Sequence, residues 1–144
     1  MSRVLISDNP KKGGIAQAKA KAEIRALEKG YLISKPIIEG ARYDMIVDDG
    51  EKLQKVQVKY TSVKQTKSQG SVTVDFRKTS NNGKLKEGYT KEEVDAIVVY
   101  IPQIDELCWF PIEILEGKTT LTIRYERPKN SQTKNIYLAE DYIW

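Results

Sequence analysis

Alternation of apolar and polar positions marks the middle of the chain as β-structure. Val56, Val58 and Tyr60 fall on one side of an extended segment, and Lys55, Gln57 and Lys59 fall on the other. A second extended segment, Arg42-Tyr43-Asp44-Met45-Ile46-Val47, precedes it, with Asp49-Gly50 between them as a turn suited to positive φ. The pattern predicts a hairpin of residues 42–48 and 53–60. With Asp49-Gly50 as the whole loop, Asp44 lies opposite Lys55 and Gln57 is its diagonal neighbour, roughly 7–8 Å away on the same face. A loop of odd length would turn one strand over and scatter these side chains.

The rest of the pattern surrounds this hairpin with further short elements. Asn9-Pro10 and the alanine-rich run to Lys29 predict a helix ending before Gly30. Its inward stripe is read as Ala20, Ile24, Leu27 and Tyr31, extended by Gln17 toward the N-terminus, with Glu23 about 100° off the stripe. Residues 31–38 predict a strand ended near Pro36, and residues 71–76 another. Residues 79–91 form a long polar loop, and Lys91-Glu92-Glu93 a turn. The continuous apolar run Ala96–Ile101 predicts a strand buried on both faces. A strand at 107–110, a helical turn at 111–116, an edge strand at 121–125, a basic loop at 127–135 and a short C-terminal helix docking Tyr142 and Trp144 complete the chain. The sum is an α/β fold of mostly antiparallel strands, in a single domain spanning residues 1–144.

Composition narrows the chemistry. In 144 residues, 40% are apolar and 31% charged, ordinary for a soluble globular protein. No stretch approaches the ~18 apolar residues of a membrane span, and the N-terminal Val4-Leu5-Ile6 is too short for a signal peptide. The single cysteine, Cys108, lies in an apolar run and is read as core packing in a reducing, cytoplasmic compartment. The chain contains no histidine. That excludes serine- and cysteine-protease-type dyads, the ribonuclease-type acid–base pair and the usual zinc sites. Hydrolysis would have to use carboxylates, lysine or an oxygen-bound hard cation.

Charge is uneven. Residues 61–91 carry seven basic residues against two acidic ones, and residues 1–30 carry seven against three. The hairpin is thus flanked on both sides by basic segments, which suits a polyanion such as DNA or RNA. Asp44, Gln57 and Lys59 together match the needs of phosphodiester hydrolysis. The Asp44 carboxylate, the Gln57 side-chain oxygen and the Val58 carbonyl could hold Mg²⁺, while Lys59 orients water and offsets phosphate charge. The same residues also occur on the outer face of an ordinary amphipathic hairpin. Gly117-Lys118-Thr119 lacks the first glycine of a P-loop and precedes a strand, so it carries no such meaning.

Tyr43-Asp44 followed by Val56-Gln57-Val58-Lys59 resembles the core of the PD-(D/E)XK nucleases, in the version found in group I intron-associated homing endonucleases and their phage and prokaryotic relatives. Lys12-Gly13, Lys29-Gly30-Tyr31, Val94-Asp95, Trp109-Phe110-Pro111 and the tail Arg124-Tyr125 to Ala139-Glu140-Asp141-Tyr142 fit the same pattern. The resemblance implies a restriction-endonuclease-like core, a mixed central β-sheet flanked by the N-terminal helix. It implies a metal-dependent endonuclease acting on duplex DNA as a homodimer or homotetramer, with Mg²⁺ as cofactor and Mn²⁺ able to substitute. By position, Asp44 becomes the metal-binding aspartate, Gln57 the amide in place of a second acid, and Lys59 the catalytic lysine. The family's early helix glutamate falls near Gln17, with Glu23 the other candidate. Lys12, Lys64, Lys67, Arg77, Lys78, Lys84 and Lys86 are the expected DNA contacts, in a prokaryotic, phage or archaeal-virus setting. Two other readings of the same residues are a Holliday-junction resolvase, which would bind branched DNA, and a non-catalytic DNA-binding module on a decayed nuclease fold.

Overall fold

The computed structural model describes residues 10–61, 70–77, 88–127 and 137–144, with side chains from residue 14 onward. Helix α1 spans Pro10–Glu28, with proline at the first helical position, where its missing N–H costs nothing. The helix ends in a Schellman motif: Gly30, at φ +80°, donates to the Leu27 carbonyl at 2.9 Å, and the Tyr31 N–H reaches the Ala26 carbonyl at 3.0 Å.

The buried face of α1 differs from the expected one. Ala18, Ala22 and Ala26 are fully buried, whereas Ile24 and Leu27 are more than half exposed and Gln17 and Ala20 face outward. The reason is the space available. Beneath the helix the sheet already presents Met45, Val47, Val56, Val58, Val98, Tyr100 and Leu107, which pack with Ala18 and Ala22 into one cluster. Side chains no larger than alanine let the helix backbone come close, and an interior at crystal-like density has no room for an isoleucine there. At Gly14 even a Cβ would stand 2.4 Å from the Tyr60 ring.

Five strands form the main sheet in the order β1-β2-β3-β5-β6: β1 (Leu32–Ser34), β2 (Met45–Asp48), β3 (Leu53–Tyr60), β5 (Ala96–Ile101) and β6 (Glu106–Pro111). All six residues of β5 are buried, as its unbroken apolar run requires in the middle of a covered sheet. β3 pairs antiparallel with β2 and parallel with β5, so the sheet is mixed.

The hairpin register also departs from the expected one. Asp48 pairs with Leu53 and Ile46 with Lys55, leaving a loop of four residues rather than two. Aspartate side chains stabilise the longer loop. Asp48 Oδ1 accepts the Gly50 N–H at 2.9 Å, and Asp49 Oδ1 accepts those of Glu51 and Lys52, both at 2.9 Å. These bonds hold the Asp49 carboxyl below its ordinary value. Because the shift is two residues, an even number, every side chain keeps its face. Asp44 lies just before the first pair, Met45 with Val56, and bonds Val56 and Val58 rather than standing opposite Lys55.

A second sheet, in the order β4-β7-β8, contains β4 (Ser71–Asp75), β7 (Thr120–Arg124) and β8 (Tyr137–Leu138). β7, expected at an edge, runs between the other two, antiparallel to β4 and parallel to β8. One core cluster joins Val72, Val74 and Phe76 of β4 to Ile97 and Val99 of β5 and Phe110 of β6. The main sheet is therefore covered by α1 on one face and by the second sheet on the other. Short helix α2 (Ile112–Leu115) follows β6 directly. At the C-terminus a 3₁₀ turn, Ala139–Asp141, stands in place of the expected short helix. It sets Tyr142 against Phe110 at a ring separation of 4.7 Å and Trp144 against Trp109 at 5.1 Å. Cys108 is buried, and burial pushes its thiol up to about 12. No helix among the described residues is long and apolar enough to cross a membrane.

Candidate active site

The site forms where β2 stops and β3 continues. In a strand the N–H and C=O of one residue point to the same edge, and for Val56 and Val58 that edge is the β2 side. β2 begins at Met45, so Val58 has no strand partner there. Asp44 fills the gap. Its N–H donates to the Val56 carbonyl at 2.8 Å, and its Oδ2 accepts the Val58 N–H at 2.7 Å. The carboxylate is thereby fixed by its own backbone and by the neighbouring strand. The Val58 carbonyl opens to the same side, with the Gln57 amide 3.5 Å from it.

Lys59 completes the hairpin constellation. Its ammonium lies 5.1 Å from the centre of the Tyr89 ring, a cation–π arrangement. Burial lowers its pKa from 10.5, against the pull of Asp44 and Asp75, which favour the charged form. Tyr89 is 8% exposed, and burial together with Asp44 pushes its hydroxyl up to about 12. Asp44, Val58, Gln57 and Lys59 thus meet in one neighbourhood, supplied by two strands of one hairpin.

Helix α1 closes the other side. Lys19 Nζ lies 3.2 Å from Asp44 Oδ1. One turn further on, Glu23 is ion-paired with Lys35. A cavity of about 400 Å³ opens between them, lined by Lys19, Glu23, Lys35, Tyr43 and Asp44 among others. A separate cavity of about 460 Å³ lies between Trp109, Trp144, Lys52 and Gln54 and contains none of the hairpin candidates. Glu23 faces Asp44 across the cavity for the same reason that Ile24 is exposed: with Ala18 and Ala22 inward, Lys19 and Glu23 occupy the next flank. Gln17 stands on the exposed face, away from that flank.

Some expected residues have other partners. Arg77 forms paired hydrogen bonds with Asp75, from Nε at 3.0 Å and from its own backbone N–H at 2.9 Å. The Arg77 guanidinium holds the Asp75 carboxyl below its usual value, and Lys59 adds to that effect. Of the other expected DNA contacts, Lys64, Lys67, Lys78, Lys84 and Lys86 lie outside the described residues, as does the side chain of Lys12.

Sequence reasoning did not anticipate Lys19, Lys35, Tyr89 or Asp75. The alanine repeat at 18, 22 and 26 carried a usable signal for Lys19, since it fixes which flank the helix turns to the hairpin. Tyr89 reaches Lys59 from far along the chain, and no local pattern announces that.

A divalent cation finds a sparse set of oxygens here. Among the described residues no three His, Cys, Asp or Glu side chains cluster as a metal site. Asp44, the Val58 carbonyl and the Gln57 carboxamide are nevertheless all hard oxygen donors, the type that Mg²⁺ prefers. A half-turn of the carboxamide presents its oxygen in place of its nitrogen.

The profile of the PD-(D/E)XK endonucleases matches residues 8–144. The chain belongs to that family. As a PD-(D/E)XK endonuclease it carries the mixed sheet and N-terminal helix of the restriction-endonuclease-like fold, and the family implies a DNA substrate. Among solved structures it is similar to the bacterial homing endonuclease I-Ssp6803I, with a TM-score of 0.75 and 21% identity over 95% of this chain and 89% of that one. A looser likeness, to MepB, has a TM-score of 0.43 and 15% identity over 81% of this chain and 87% of the other. No curated protein matches the chain in sequence.

Proposed function

We propose that this PD-(D/E)XK protein is a divalent-metal-dependent endonuclease that hydrolyses phosphodiester bonds of duplex DNA, working as a homodimer or homotetramer. The observation that carries the reading is the strand gap at Val58, where the Asp44 carboxylate, the Val58 carbonyl and the Gln57 carboxamide come together with the Lys59 ammonium in electrostatic range of Asp44. Asp44, Gln57 and Val58 would hold Mg²⁺, or Mn²⁺ in its place. The cation, when bound, supplies Lewis-acid polarisation of a phosphate oxygen and a more acidic bound water. The chain's own groups act around it. Lys59, held against Tyr89 and short of water, offsets charge on the scissile phosphate and donates to the attacking water or the leaving oxygen. Its lowered pKa also eases giving up a proton to solvent.

We assign the helix acid of the site to Glu23, on the cavity wall, rather than to Gln17 on the outer face. Arg77 and the basic segments containing Lys12, Lys64, Lys67, Lys78, Lys84 and Lys86 would track the DNA backbone. The bacterial source of I-Ssp6803I suits a prokaryotic or phage-borne setting for this chain too.

Cleavage of supercoiled plasmid and of a four-way junction, with Mg²⁺ or Mn²⁺, tests the reading. Metal-stimulated cutting is expected, and Lys59→Ala should reduce it roughly 10²–10³-fold while DNA affinity in a salt titration stays close to the parent's. No cutting of either substrate with either metal would overturn the enzymatic reading. A marked preference for the junction would identify a resolvase.

A further inference from the structure

Two of the three acids lining the 400 Å³ cavity are matched with lysines, Asp44 with Lys19 and Glu23 with Lys35; Glu39 is the third. The Asp44 pair is the more consequential one. Its side chain is 16% exposed, and each of its oxygens has a partner, Oδ2 the Val58 N–H at 2.7 Å and Oδ1 the Lys19 ammonium at 3.2 Å. Lys59 is attracted to the same carboxylate. A further cation at Oδ1 would meet an ammonium within a few ångströms, in a partly desolvated place where like charges repel strongly.

We propose that Lys19 is an internal competitor for the divalent cation: its ammonium and the metal exclude each other at Asp44 Oδ1, so Lys19 sets how tightly the site holds metal. The geometry allows the exchange. Lys19 is 43% exposed on its side chain, and its four-carbon stem can swing the ammonium out of the cavity without moving the helix. A phosphate of bound DNA offers that ammonium another anion. Polyanion binding and metal binding are therefore linked, and DNA should raise metal affinity through Lys19. The inference rests on the metal-dependent reading given above.

The test is a Mn²⁺ titration of the full chain, followed by the electron paramagnetic resonance of free Mn²⁺, without DNA and then with a short duplex in Ca²⁺-free buffer. Lys19→Met keeps the stem and removes the charge; without DNA it should bind Mn²⁺ about tenfold more tightly than the parent. Lys19→Arg should leave affinity near the parent's, because a cation is still present. Adding Asp44→Asn to Lys19→Met should abolish the gain, which ties it to this carboxylate. DNA should tighten Mn²⁺ binding to the parent more than to Lys19→Met. Equal Mn²⁺ affinity of the parent and Lys19→Met, with metal-stimulated cleavage intact in both, would overturn the competition alone. No Mn²⁺ binding and no cleavage by either protein would overturn the metal-dependent reading and the competition with it.

Discussion

Two aspartates grip the backbone of β3, and they differ in what their remaining atoms face. Asp95 accepts the Lys55 N–H on Oδ2 at 2.8 Å, donates its own N–H to the Lys55 carbonyl at 2.8 Å, and receives the Ile112 N–H on its carbonyl at 3.0 Å. Asp44 accepts the Val58 N–H on Oδ2 at 2.7 Å, but its Oδ1 is turned to Lys19 and the cavity. The lysines of the same strand face divide in the same way. Lys55 reaches the Glu92 carbonyl at 2.5 Å and ties down the turn before β5. Lys59 lies against Tyr89, short of water, with Asp44 and Asp75 in electrostatic range. One Asp–Lys corner of the strand closes a junction in the fold, and the other turns a carboxylate oxygen toward a cavity beside a partly desolvated ammonium. Each aspartate sits one residue before the strand that pairs with β3, Asp95 before β5 and Asp44 before β2; the difference is that Asp95 is also held by Ile112, whereas Asp44 borders the cavity.

The largest expected effect separates the two aspartates. Asp44→Asn should lower metal-stimulated cleavage roughly 10³-fold, the scale of losing a charged group that acts at the reacting phosphate, with the thermal midpoint little changed. Asp95→Ala should do the reverse. It leaves the Lys55 N–H without its acceptor at a cost of roughly 1–3 kcal/mol, read as a lower denaturant midpoint, while the folded fraction still cuts DNA. Similar losses of activity at constant stability from both substitutions would break the comparison.

The lysines should differ in the sign of their effect on stability. Lys59 has a folded pKa below its ordinary 10.5, so folding disfavours its charged form. That penalty is full below the lowered folded value, shrinks as pH rises through it, and is gone above 10.5. Lys59→Met should therefore be more stable than the parent at pH 7, by a margin that narrows as pH climbs toward 10.5 in a series of urea titrations. Lys55→Met loses a hydrogen bond to the Glu92 carbonyl and should be slightly less stable at neutral pH. A Lys59→Met protein less stable than the parent at pH 7 would show that the contacts with Tyr89 and Asp44 outweigh the desolvation.

How much of this was legible in the residues depends on the range over which each feature is encoded. The bounds of β3 and β5 follow from period-two alternation and from an unbroken apolar run, both local properties, and they match the strands formed. The hairpin loop was misjudged by two residues because Asp48 and Asp49 cap backbone N–H groups that a two-residue turn would not contain. The face assignment survived only because that error is even. The inner face of α1 was misjudged for a different reason. A helix offers several stripes, and bulk suggested Ile24 and Leu27, but the sheet beneath was already filled by residues distant in sequence and admitted only alanine. That choice also decided which polar residues face Asp44: Lys19 and Glu23 in place of Gln17.

By itself, then, the sequence determined the strand that carries Gln57 and Lys59, the face they share and the hard-oxygen character of any metal site, since these depend on alternation and on which residue types are present. Tertiary structure alone decided that β2 would begin only after Asp44, at Met45, that Lys19 would sit on the Asp44 carboxylate and that Tyr89 would hold Lys59. Each of these is set by packing between elements far apart in the chain, where the size of a neighbour, not the local pattern, selects the contact.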